Sequence, residues 1–250
     1  MAKFNSKSTL VYLGAYDVTA LSTMLDVQAK RVINDVTGFG GTGRGHLAMV
    51  QESQVEYEGI FDDIAGNLDN AMAALRVAAA TTPASFYPGG AAIGLKGFAG
   101  SVYLTNEPVQ IKVPEAILLK ASFLFDGTSE QKVTSLGVKA TVTATTAGAT
   151  QDDAAQSTIG GSWYYHVTAV TASGGNAQWQ VEWQDSANGS VWATIGTEKY
   201  NVTGAGGPVG ARHDLAAGAT VRRYVRLNLT LDASSGSITV QAGYVRGALV

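Results

Sequence analysis

Ser53-Gln54-Val55-Glu56-Tyr57-Glu58-Gly59-Ile60-Phe61 decides how the rest of the chain is read. Val55, Tyr57, Gly59 and Phe61 fall on one side of an extended backbone and Gln54, Glu56, Glu58 and Ile60 on the other, the signature of a half-buried β-strand. Directly after it, Ile64, Leu68, Met72, Leu75 and Ala79 recur at helical spacing, with Asp62 and Asp63 placed to cap the start. The pattern predicts a single helix that ends before Thr81-Thr82-Pro83, followed by a turn-rich passage at Tyr87-Pro88-Gly89-Gly90. Further strands are predicted at Ala99 to Leu104, Val109 to Val113 and Ile117 to Phe125.

From Ala140 to Ser157 the chain becomes a run of Thr, Ala and Gly closed by Gln-Asp-Asp, with little to anchor a core. This reads as a boundary, giving a first domain over 1–147, a linker over 148–158 and a second domain over 159–250. Beyond it alternation resumes at Trp163 to Thr171 and in Trp179, Val181 and Trp183 against Gln178, Gln180, Glu182 and Gln184. A turn at Asn188-Gly189 leads to Val191 to Ile195, which reads as a hairpin. Val225, Leu227, Leu229 and Leu231 alternate with polar neighbours, and Ile238, Val240, Ala242 and Tyr244 repeat the device after Ser234-Ser235-Gly236. The fold class is mainly β: a sandwich- or barrel-forming first domain with one helix, then a small antiparallel β-sandwich. Two independently patterned cores predict that the second can be removed without loss of the first.

Composition agrees. Gly is abundant at 30 of 250 residues and only five Pro occur, which suits short strands joined by Gly-containing turns. A net charge of -3 and the absence of any long Lys/Arg run exclude a basic patch that grips nucleic acid. The chain has no cysteine, so neither disulfides nor thiolate metal sites contribute, which fits folding in a reducing cytoplasm. The apolar positions around Leu10 to Leu13 are too few for a signal-peptide core or a membrane span. The sequons at Asn188, Asn201 and Asn228 read as turn and strand residues.

Four constellations could carry chemistry. Gly38-Phe39-Gly40-Gly41-Thr42-Gly43 satisfies the Gly-x-Gly-x-x-Gly string of dinucleotide-binding folds, with Asp62 and Asp63 about twenty residues on. Those folds need the third glycine to open a helix, whereas His46 to Phe61 read as strand, so Gly38 to Gly45 (Gly38, Phe39, Gly40, Gly41, Thr42, Gly43, Arg44, Gly45) reads as a Gly-rich hairpin loop. His46, His166 and His213 share no metal-ligand spacing; His166 reads as a sheet-face imidazole and His213-Asp214 as part of a solvated Gly-rich loop. Trp163, Trp179, Trp183 and Trp192 could stack on sugar rings, but a face of Trp, Val, Trp reads more simply as core. Arg222, Arg223 and Arg226 form the one basic cluster and read as a solvated or interface edge. Nothing here supports catalysis, and no cofactor or metal is expected.

The first half resembles the tail tube proteins of siphophages, through Leu13-Gly14-Ala15-Tyr16-Asp17-Val18-Thr19, Asp35-Val36-Thr37-Gly38-Phe39-Gly40, Val55-Glu56-Tyr57-Glu58-Gly59-Ile60-Phe61-Asp62 and the later Tyr87-Pro88-Gly89-Gly90. Gly38 stands where the family usually has Thr before Phe-Gly. The second half, with Tyr164-Tyr165-His166-Val167-Thr168-Ala169, Gln184-Asp185-Ser186-Ala187-Asn188-Gly189 and Arg223-Tyr224-Val225-Arg226, is similar to the C-terminal β-domain appended to many such proteins. The resemblance implies a structural virion subunit that closes hexameric rings, stacks them into a tube and lets genomic DNA through the lumen without tight binding. It further implies tail proteins as partners at the tube ends, assembly in the host cytoplasm and no membrane. Glu52, Glu56 and Glu58, opposite the apolar face of their strand, are the candidate lumen-facing residues, and Gly38 to Gly45 the candidate inter-ring loop. The competing reading is a virion decoration or adhesion module whose tryptophans bind a host glycan or a capsid surface.

Overall fold

The computed structural model describes residues 9–35, 46–60, 68–77, 81–90, 92–106, 109–110, 117–126, 131–137, 140–174, 178–195, 200–203 and 209–247. The first half supplies β1 (Leu10–Leu13), β2 (Tyr16–Asp17), one 3-10 turn (Thr19–Leu21), β3 (Ser22–Asp35), β4 (His46–Ile60), α1 (Leu68–Val77), β5 (Thr82–Tyr87), β6 (Lys96–Asn106), β7 (Val109–Gln110), β8 (Leu118–Phe125) and β9 (Gln131–Ser135). Three short pieces follow, β10 (Ala140–Val142), β11 (Thr146–Ala147) and β12 (Gln151–Asp152). The second half adds β13 (Gly161–Ser173), β14 (Gln178–Ser186), β15 (Ala193–Thr194), β16 (Tyr200–Thr203), β17 (Val209–Leu215), β18 (Tyr224–Asp232) and β19 (Ser235–Arg246).

The protein is mainly β, as the alternation indicates, and it is built from a nearly closed barrel-like sheet and a second sheet. The larger sheet runs in the order β17-β13-β19-β9-β6-β5-β1-β2 and so crosses from one half of the chain to the other at β19 and β9. At β6 it forks. Lys96 to Ala99 pair with β9, whereas Val102 to Asn106 pair with β8, which carries the β4–β3 ribbon.

Three cores result. Val55, Tyr57, Phe86, Val102, Leu119, Ala121 and Phe123 pack with Met72 and Leu75 of α1 in the first. The expected helix face is therefore the buried one; its expected ends at Ile64 and Ala79 and its acidic cap lie outside the described residues. Trp163, Tyr165 and Val167 of β13 and Ile238, Val240, Ala242 and Tyr244 of β19 meet Trp179, Val181 and Trp183 of β14 and Val225, Leu227 and Leu229 of β18 in the second. This is the sandwich that the alternation predicts.

The third core fills the barrel and belongs to both halves: Tyr12, Tyr87, Ala99 and Val133 close on Tyr164. It uses the other face of β13 and β19, which is why Gly161 to Val167 are buried without a break. Two hydrogen bonds from His166 tie the halves together, Nδ1 donating to Gly14 O at 2.7 Å and Nε2 accepting from Ser85 Oγ at 2.8 Å. Nor does the 148–158 stretch hang free: Gln151 and Asp152 pair with β18, Gly148 N donates to Leu227 O, and Ser157 bridges to Val221. The halves thus keep their own sandwich cores while sharing one sheet and one barrel interior, so removal of the second is expected to open the barrel of the first.

Several strands have no counterpart in the sequence pattern, the long β3 and β9 among them, and β5 and β17 show why. β5 sits between β1 and β6 although Pro83 is its second residue and Pro88 follows it; Pro83 lies near the strand start, and its carbonyl still accepts from Gly14 N at 2.8 Å. β17 replaces the Gly-rich loop expected around His213-Asp214. Its Gly210 faces the Gly14 carbonyl so closely that a Cβ would overlap the Gly14 backbone, while Gly14 itself turns at φ +57°. Gly210→Ala is therefore expected to lower stability by about 1–3 kcal/mol through overpacking against main chain, read by chemical denaturation at neutral pH.

Candidate functional site

The outer face of the β3–β4–β8 sheet is the surface on which the sequence places Glu52, Glu56 and Glu58. In β4, Ser53, Val55, Tyr57 and Gly59 are buried and Gln54, Glu56 and Glu58 are half-buried, so period-two geometry puts the carboxylates opposite the core. Register then sets their neighbours. Glu56 stands between Asp26 of β3 and Ser122 of β8, and Glu58 between Met24 and Lys120.

The geometry makes this a braced acidic face. Ser122 Oγ donates to Glu56 Oε2 at 2.8 Å, and the Gln54 amide donates to Glu56 Oε1. Lys120 Nζ lies 3.1 Å from Glu58 Oε2, and Thr23 Oγ1 donates to Glu58 Oε1 at 3.4 Å. Gln28 Nε2 donates to Asp26 Oδ2 at 2.6 Å. Asp26, Glu56 and Glu58 against Lys120 leave the patch net negative. The run of acids on β4 contains no cation, yet one arrives from β8, whose alternation of Lys120 and Ser122 with Leu119, Ala121 and Phe123 is the signal that could have located it. Glu52 pairs in register with Lys30, and its side chain lies outside the described residues. Apolar residues rim the patch: Met24, Ile60 and Tyr103 are 45%, 40% and 44% exposed.

Beside this face runs a free edge. β3 pairs with β4 alone among the described strands, and β4 pairs with β8 only from Gln54 to Ile60. Among the described strands, the ribbon's far portion, on to Asp35 and His46, is two-stranded.

The other expected sites fall as follows. Gly38 to Gly45 lies outside the described residues, but Asp35 and His46 on either side of it pair antiparallel, and a strand, not a helix, follows. A strand that pairs back on β3 stands where a dinucleotide site needs a helix. Trp179 and Trp183 are fully buried and Trp163 nearly so, which removes them as a sugar platform; Trp192 is half-buried with the Arg226 guanidinium 4.1 Å over its ring. Arg223 is held by Asp152 at 2.6 Å, and Arg226 donates to Gln184 Oε1. Arg223 and Arg226 are thus held within the chain, whereas the Arg222 side chain is 43% exposed beside Asp185. His213 is not in a solvated loop but on β17, stacked on Trp163 at 5.3 Å and on Tyr165 at 5.7 Å. Among the described residues no group of acids and histidines could hold a metal ion, and no helix is long and apolar enough to cross a membrane.

No family model and no curated protein matches the sequence. Solved structures do. A chain of the virion of a native gene transfer agent particle is similar over 52% of this chain and 98% of its own, at 16% identity and a TM-score of 0.41. A chain in the tail of an empty gene transfer agent particle, refined with C6 symmetry, is similar over the same shares at 12% identity and a TM-score of 0.39. The Dit protein of phage SPP1, described as a hub of the adsorption apparatus in phages infecting Gram-positive bacteria, is similar over 95% of this chain and 99% of its own, at 11% identity and a TM-score of 0.35.

Proposed function

We propose that this chain is a structural subunit of a phage tail tube, closing six-fold rings that stack around a lumen for the genome. The observation that carries the reading is the β3–β4 ribbon, whose outer strand of 14 residues has no further partner among the described strands. A two-stranded ribbon is marginal alone in water, and an open edge of this length invites another strand. Pairing with the ribbon of the next copy satisfies both, and it is what the resemblance through Leu13–Thr19 and Val55–Asp62 implies. Continued around a ring, the β3–β4–β8 sheet becomes the wall of a barrel, and the face bearing Glu56 and Glu58 becomes its inner surface. A net negative wall repels phosphate over about 8 Å at physiological salt, the Debye length, so DNA passes without adhering. Other tail proteins cap the tube ends, and the finished tube belongs to the virion.

Negative-stain microscopy of the purified protein tests this directly: rings or hollow tubes are expected, and monomers at high concentration would overturn it. Glu56→Lys with Glu58→Lys is expected to cost about 1–2 kcal/mol through the lost bonds to Ser122 and Lys120 while leaving the fold intact, since no core side chain changes. Tubes should still form, and genome ejection from phage carrying the pair should slow. Ejection at the normal rate, or a structure placing these side chains outside the tube, removes the lumen assignment.

A further inference from the structure

The sandwich of the second half is open at one end. There a cleft of about 570 Å³ lies between β17 and β15 and is lined by Trp163, Asp185, Ile195, His213, Leu215 and Arg222, among others. Its volume is in the range of small-ligand sites, roughly 300–1,000 Å³.

What sets it apart from a packing defect is Asp185. Along β14 the inward positions read Trp179, Val181, Trp183 and then Asp185, so a carboxylate occupies the place where the pattern calls for one more apolar side chain. The residue is 5% exposed. Its Oδ2 accepts from Arg222 N at 2.8 Å. Its Oδ1 stands 3.7 Å from Arg222 Nη1, too far for a hydrogen bond, and the Arg222 side chain is 43% exposed. An acceptor and a donor are thus held side by side at the mouth, attracted but not joined.

The chemistry that fits is a pair of adjacent hydroxyl groups. One hydroxyl donates to Asp185 Oδ1 and its neighbour accepts from the Arg222 guanidinium. The wall beside them is apolar and aromatic: half-buried His213, backed by the buried Trp163, and half-buried Leu215 offer a surface for the C–H face of a ring. Charged residues around the cleft balance, Arg212 and Arg222 against Asp185 and Asp214, so nothing selects an anion. We propose that this cleft is a carbohydrate site that takes a neutral pyranose, with Asp185 and Arg222 gripping vicinal hydroxyls. It stands apart from the acidic face and from the ribbon edge, and it does not depend on the tube reading.

Saturation-transfer NMR and calorimetry on the full chain test it, using the methyl glycosides of glucose, galactose, mannose and N-acetylglucosamine, with sorbitol as an acyclic control. At least one glycoside is expected to bind and sorbitol is not. Asp185→Asn keeps an acceptor for Arg222 N but loses the charge, and Arg222→Gln changes a side chain at the surface; each is expected to weaken binding about tenfold or more. Arg222→Gln is expected to melt with the parent protein, so a fold lost in Asp185→Asn does not decide the outcome. Silence from all four glycosides, equal binding of sorbitol, or binding that survives Arg222→Gln but falls with Trp192→Ala would each overturn the proposal.

Discussion

A chain ending at Ser157 is expected to lose its cooperative fold and to elute as aggregate on size exclusion, although its first 147 residues contain a complete sandwich core. β13 and β19 form one wall of the barrel, and without them Tyr12, Tyr87, Ala99 and Val133 face water. Each large side chain returned to solvent costs about 1.5–3 kcal/mol, and the hydrogen bonds that Gly14 O and Ser85 make with His166 add about 1 kcal/mol each. Such losses are comparable to the whole stability of an ordinary domain, about 5–15 kcal/mol. The same cut bares the edge of β9, where Thr134 and Ser135 pair with Tyr244 and Gly243. Loss of near-ultraviolet circular dichroism with gain of dye binding is the expected reading. A soluble monomer with a sharp melting transition would show instead that the barrel closes without β13 and β19.

The sequence carried the alternating strands well and the connections between halves poorly, for physical reasons. A strand with one solvated face announces itself by period two, and β4, β8, β14 and β18 all have such a face. β13 does not: its buried run Gly-Ser-Trp-Tyr-Tyr-His-Val reads as one apolar face plus incidental polar residues, because Ser162 and His166 are satisfied only by distant partners. Ser162 bonds Asp214, and His166 bonds Gly14 and Ser85, at separations in sequence that no local pattern encodes. Pro83 and the small residues of β17 hid two further strands for the same reason, since each is defined by its neighbours in the sheet more than by its own residues. The acidic face was visible because β4 shows it alone; Lys120 and Asp26, which partner it, were not, because register between strands is set by the fold.

His166 should make the junction between the halves sensitive to acid, and the sign follows from its surroundings. The ring is fully buried, stacked on Tyr12 at 5.3 Å, with both nitrogens occupied as a neutral imidazole. Burial pushes its pKa down to about 4, while the bond to Gly14 O and the Asp17 carboxylate pull the other way without prevailing. In the unfolded chain the group titrates at 6.5. Above that value neither state carries the proton, and the stabilisation is complete. As pH falls below it the unfolded chain takes up a proton that the folded chain refuses, so stability drops by about 1.4 kcal/mol per pH unit until the folded ring is itself protonated near pH 4. The expected loss across that window is about 3 kcal/mol from this one residue. His166→Phe keeps a ring against Tyr12 but cannot titrate and strands Gly14 O and Ser85 Oγ. It is expected to be less stable than the parent at pH 7.5 by about 1–3 kcal/mol, yet to lose less on acidification, so the two denaturation curves converge toward pH 4. Parallel pH profiles for the two proteins would mean that His166 takes up its proton in the folded chain as readily as in the unfolded one.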